Sequence, residues 1–168
     1  MGASGPIVLG LGFAILVLSV TGLVIAWSMF FSTYIEALKD AASTIEYLAS
    51  SSLVIGNVSV NGTVLGFVVV NKGSTSVLFD DKADLIVLYY SGGVLRGAIL
   101  EYSVGWNITS VYTDDTAKSI QPGEAVELLP GQRAIGVALL PESPDVNTTI
   151  TLVLVSGKGV RAKYVSTA

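Results

Sequence analysis

Serines are plentiful in this 168-residue chain, yet it contains no histidine and no cysteine. A serine nucleophile therefore has no imidazole base, and no Gly-x-Ser-x-Gly elbow, Ser-x-x-Lys pair or Walker loop occurs. Thiolate chemistry, disulfides, haem ligation and zinc sites of the Cys/His type are excluded with them. The remaining candidates are carboxylates. Asp80, Asp81 and Asp84 form one cluster and Asp114 and Asp115 another. Neither follows the alternating acids and fixed glycine of a calcium loop, so they are read as solvated carboxylates between strands. No catalytic residue, metal site or cofactor is expected. One chemistry is left, N-linked modification at four sequons: Asn57-Val-Ser59, Asn61-Gly-Thr63, Asn107-Ile-Thr109 and Asn147-Thr-Thr149. Asn61 ranks first, because a type I′ turn at Asn61-Gly62 would project it off a sheet. Asn57 and Asn147 follow, and Asn107 is last, lying in a strand beside Trp106.

These groups hang on a chain of two unlike halves. No charged residue occurs before Glu36, and Pro6–Phe31 is interrupted only by Gly, Ser and Thr. A bilayer core of about 30 Å needs roughly 20 apolar residues as a helix, and this run is longer. A helix apolar on every face belongs in lipid or inside a core of other chains. A secretory signal would carry a basic start and an h-region of about 7–15 residues. Here no base precedes Lys39, so the segment is expected to be retained.

After Phe31 the pattern becomes amphipathic. Trp27, Phe31, Tyr34, Leu38, Ala41, Ile45 and Leu48 advance in steps of four and three, one stripe of a helix. The stripe could be an oligomeric seam or the side that docks on the chain's own second half. Small residues, among them Gly10, Gly12, Ala14 and Gly22, are scattered among large ones such as Leu23. They permit close helix–helix approach in an apolar medium, and glycine is also frequent in an ordinary single membrane anchor. Residues 1–52 are thus read as one helical segment, ending at Ser50-Ser51-Ser52.

From Leu53 the period changes to two. Leu53–Val60 and Thr63–Val70 flank Asn61-Gly62, a strong hairpin signal. Further strands are expected at Asp84–Tyr90, Val94–Tyr102, Gly105–Tyr112, Ala125–Leu129, Arg133–Leu140, Thr148–Val155 and Val160–Val165, separated by Gly/Pro-rich turns. Short strands at this spacing predict an antiparallel sandwich of immunoglobulin-like type over residues 53–168, and an α+β chain overall. Hydrophobic residues make 51% of the chain and charged ones 13%, so its surface carries little charge or is covered by neighbours. A net charge of −4 without a basic cluster argues against nucleic-acid binding.

The whole pattern resembles the archaeal type IV pilin-like superfamily, which includes adhesive pilins, archaellins and the accessory archaellum F and G proteins. Phe67-Val-Val-Val-Asn71-Lys-Gly-Ser-Thr75 is similar to their strand followed by an Asn-x-Gly-Ser/Thr turn. Asp84–Tyr90 looks like the next core strand, and Ile120-Gln-Pro-Gly-Glu124 and Gly157-Lys-Gly-Val160 recur in the same manner. The resemblance implies a non-enzymatic structural subunit of an extracellular filament, a pilin first and an archaellin second. Its partners would be copies of itself, the membrane before assembly, and a pilus assembly machinery. The alternative it implies is a membrane-anchored accessory protein that grips the cell envelope through its β-domain.

Overall fold

The computed structural model describes residues 4–113 and 116–167, with the side chains of residues 4–11, 14 and 167 left aside. A helix, α1, runs without a break from Ser4 to Ser50, and the strands follow. Two compact units are present, Met1–Ile45 and Glu46–Ala168. The last helical turn therefore belongs to the β-unit.

Eleven strands are described in that unit: β1 Leu53–Asn61, β2 Val64–Asn71, β3 Val77–Phe79, β4 Asp84–Ser91, β5 Val94–Glu101, β6 Trp106–Thr113, β7 Thr116–Ser119, β8 Val126–Leu128, β9 Arg133–Leu139, β10 Thr149–Val155 and β11 Arg161–Thr167. They form a five-stranded sheet in the order β1-β2-β9-β6-β7, a four-stranded sheet in the order β11-β10-β4-β5, and a β3-β8 ribbon. All named strand pairs are antiparallel. Leaving aside the ribbon and the edge strand β7, the two orders are those of an immunoglobulin-type sandwich with the extra C′ strand. The expected α+β class and sandwich are therefore present.

Strand alternation builds the core. Leu85, Val87 and Tyr89 of β4 point inward, as do Leu65, Phe67 and Val69 of β2 and Ile150, Leu152 and Leu154 of β10. Trp106 sits at the centre, with Tyr102 edge-on at 4.9 Å, Phe67 at 5.9 Å and Phe79 edge-on at 6.0 Å. Gly136 pairs with Phe67 across β9 and β2, and the Phe67 ring occupies the space a Cβ would need. Glycine inside that strand is thus a packing requirement.

The first hairpin differs from expectation by one residue. Asn61 pairs with Val64, so the loop is Gly62-Thr63. Gly62 takes φ +60°, whereas neither Asn61 nor Thr63 has a positive φ. That is a turn with glycine at its first central position, not the type I′ Asn-Gly turn. The cause lies upstream. Asn57 and Val58 together oppose Phe67, and Asn57 adopts φ 48°, the left-handed conformation of a bulge residue that asparagine tolerates. The extra residue lets Leu53 and Ile55, and then Val58 and Val60, all turn toward the core. It also moves the register by one at the tip. Two strands, β3 and β7, were not expected: β3 has three residues and β7 is exposed throughout.

Candidate functional site

The helix surface is the outstanding feature. From Gly12 to Glu46 every described side chain is exposed. Leu18 is 72% exposed, Phe13 70% and Phe30 67%, on different sides of the helix. Ile15–Ser50 is long and apolar enough to cross a membrane. The serine and threonine hydroxyls between Ile15 and Thr33 are satisfied within the helix. Ser19 donates to the Ile15 carbonyl, Thr21 to Val17, Ser28 to Ile25, and Ser32 and Thr33 to Met29. A hydroxyl in an apolar medium must find such a partner. Gly12 and Gly22 leave open notches, with nothing within 4 Å of where a Cβ would lie. The side-chain surroundings of Gly10 and Ala14 lie outside the described residues.

Leu23, Trp27, Phe31, Tyr34, Leu38, Ala41 and Ile45 are all exposed on the continuous helix, as helical spacing dictates. Near the stripe an aromatic cluster forms: Trp27 and Phe31 lie 5.5 Å apart, and Phe30 and Tyr34 stack at 6.4 Å. The cluster stands just before Glu36, where charge begins. Aromatic belts of membrane-spanning helices stand at such a boundary between apolar and charged residues. Within the β-unit, Leu48 remains 39% exposed while its neighbour Tyr47 packs against the core. The residue that docks this last turn is therefore off the stripe.

The junction around that turn is built by a motif whose role sequence reasoning missed. Asn71 is fully buried. Its Nδ2 donates to the carbonyls of Thr75 and Leu128, both at 2.8 Å, and its Oδ1 accepts from the Gly73 N–H at 3.0 Å. The loop so shaped caps the helix C-terminus. Lys72 N–H donates to the Ser52 carbonyl at 2.7 Å and Ser74 N–H to that of Ser50 at 2.9 Å. Thr75 also bonds the Ser50 hydroxyl. A Cβ on Gly73 would lie 2.5 Å from Ser52 N and 2.6 Å from Ser50 O, so only glycine fits. Tyr47 adds a hydroxyl donated to the Ser76 carbonyl at 3.2 Å, with Lys158 Nζ 5.0 Å above its ring.

Of the sequon asparagines, Asn57, Asn61 and Asn147 are exposed, and Asn107 is half-buried with its Oδ1 accepting from Gly123 N–H at 3.3 Å. Asn61 thus stands at a strand end, not in the turn. Asp80 closes its own turn by accepting from Lys82 N–H at 3.2 Å. Asp114 and Asp115 lie outside the described residues. Among the described residues no group of three or more acids could hold a metal ion, and the one ion pair is Arg96–Glu142 at 3.3 Å.

No protein-family model matches the chain, and no curated protein does. Solved structures do. The archaeal flagellum of Methanospirillum hungatei strain JF1 aligns with a TM-score of 0.51 at 14% identity, over 95% of this chain and 92% of that one. The archaellum periplasmic stator protein FlaG from Sulfolobus acidocaldarius gives a TM-score of 0.48 at 16% identity, over 69% of this chain and 99% of its own. The FlaF and FlaG stator complex of the same organism gives 0.48 at 17% identity, over 68% and 87%. The first of these likenesses extends through helix and sandwich alike. The chain therefore carries the fold of an archaeal flagellum subunit, the architecture that its resemblance to archaeal type IV pilin-like proteins implies.

Proposed function

We propose that the chain is a structural subunit of an archaeal extracellular filament of the type IV pilin-like kind, a pilin first and an archaellin second, with no enzymatic role. The observation that carries this reading is the helix surface: apolar on all sides, notched at Gly12 and Gly22, with its hydroxyls bonded to its own carbonyls. Burying one large aliphatic side chain is worth ~1.5–3 kcal/mol relative to water, so water is not an available surrounding. Lipid holds the helix before assembly, and a bundle of identical helices replaces lipid afterwards, by packing of small against large residues. The assembly machinery would take the subunit from one to the other, and the sandwiches would form the outer sheath. Shearing cells and identifying the main protein of the recovered fibres tests this directly.

The second reading, a membrane-anchored accessory protein whose β-domain binds the envelope, is favoured by the aromatic cluster at the end of the apolar run. Negative-stain images of the purified chain separate the two. Micrometre filaments support the first, and detergent-bound monomers or small oligomers the second.

A further inference from the structure

We infer that the outer face of the four-stranded sheet pairs with the same face of a second copy of this chain, about a two-fold axis parallel to the strands. Antiparallel sheets usually turn one face to water and make it polar. This one does not. On the side away from the core, Leu88 is 42% exposed, Tyr90 40%, Leu95 59%, Ile99 71% and Val165 55%. Ile86 and Val153 join them in a row: Ile99 pairs with Ile86, Ile86 with Val153, and Val153 with Lys163. Gly97 leaves room for the Leu88 side chain to lie over it.

The charges on this face say what covers it. The row at one end runs Glu101, Asp84, Val155, Arg161, and the next outward residue of β11 is Lys163. Acids thus sit on the β5 and β4 side, and bases on the β11 side. Among the described residues none of these four makes an ion pair within the chain. Rotation by 180° about an axis parallel to the strands carries β5 over β11 and leaves each row at its own height. Glu101 then faces Arg161 of the second copy twice over, at one end of the apolar patch, while Asp84 lies over Val155 and the Lys163 stem over Ile99. The other face-to-face two-fold, across the strands, lays β5 on β5 and β11 on β11 and so brings no acid opposite a base. The favoured rotation also keeps both chains' Glu46–Ser52 segments at the same end of the pair. A two-fold contact closes on itself and cannot repeat along a polar fibre. It therefore belongs to the membrane-held form that precedes or replaces the fibre, and it holds under either reading above.

The test uses the full-length chain in detergent micelles, where the absence of native cysteine makes labelling clean. Glu101→Cys and Arg161→Cys chains are co-expressed and treated with a bismaleimide reaching roughly the 10 Å between packed sheets. The expected result is a covalent dimer from the mixture and little from either variant alone. Equal yield from a single variant, or no dimer from the mixture, overturns the pairing. Adding Ile99→Asp to both chains should abolish the product, with unchanged circular dichroism; a product that persists counts against this face. Independently, Glu101→Lys should lower the dimer fraction by light scattering, and Arg161→Glu in the same chain should restore it; failure to restore overturns the proposed axis. Recovery of sheared fibres from cells carrying the same variants reports on the filament reading separately, because that assay does not depend on this contact.

Discussion

Replacing Asn71 by alanine would remove its bonds to the Thr75 and Leu128 carbonyls and leave the Gly73 N–H with the Ser52 carbonyl alone, at 3.2 Å. Each buried polar group left unpaired costs about 1–3 kcal/mol, so Asn71→Ala should destabilise the β-unit by about 3 kcal/mol, roughly 10 °C in melting temperature. Gly73→Ala should cost a similar amount, because the new Cβ meets backbone atoms of Ser50 and Ser52 that cannot swing away. Calorimetry of the two variants checks both, and an unchanged melting temperature would refute the capping role. Tyr102 offers a pH signature. Burial, and then the nearby Glu124 carboxylate, hold its phenol above the ordinary value, and its hydroxyl donates to the Glu124 carbonyl at 2.7 Å. A raised folded pKa leaves stability intact below the unfolded value of about 10 and removes it as pH rises through the folded one. Thermal scans across that alkaline range should show a loss that Tyr102→Phe reduces. Asn71-Lys-Gly73 was legible as a turn from its spacing alone. Its burial was not, because Leu128, which receives one of its bonds, lies 57 positions away.

The last turn of α1 is an element of the β-unit, not a tether to it. A fragment of residues 46–168 retains Tyr47 over Ser76 and the Ser50 carbonyl under Ser74, whereas 53–168 loses both. The shorter also loses the Ser52 carbonyl under Lys72 and the Ser50 hydroxyl beside Thr75. Both should be rich in β-structure, and the shorter should be less stable by about 4 kcal/mol, the worth of four such bonds and a partly buried ring, and so melt earlier. Equal melting would mean that the turn contributes nothing. Nine strands were readable because alternation and turn residues agree in them. β3 escaped because three residues do not establish a period and, unlike the equally short β8 with Pro130-Gly131 behind it, no Gly/Pro turn closes it; β7 escaped because an edge strand exposed throughout carries no apolar alternate. The hairpin tip lies one residue away from the turn that Asn61-Gly62 predicts, for a local reason. Burying Ile55 and then Val58 demands a bulge at Asn57, and that shift is invisible until Phe67 is known to lie opposite.

At the scale of the whole molecule the helix was the most legible part, since an uncharged run before Glu36 admits few other structures. What surrounds it was not legible, because lipid tails and identical helices offer the same apolar contacts. Packing distinguishes them. Gly22→Leu fills a notch and should cut fibre yield while leaving membrane insertion unchanged; full yield would argue against close helix approach there. The central claim is that this helix leaves lipid for the core of a fibre, and cysteine accessibility in sheared fibres tests it most directly. Leu23→Cys, on the exposed helix surface of the single chain, should be unreactive to a soluble maleimide in intact fibres, while Asn61→Cys on the outer domain reacts freely. Labelling of Leu23→Cys as fast as Asn61→Cys, or fibres from which the chain is missing, would contradict the account.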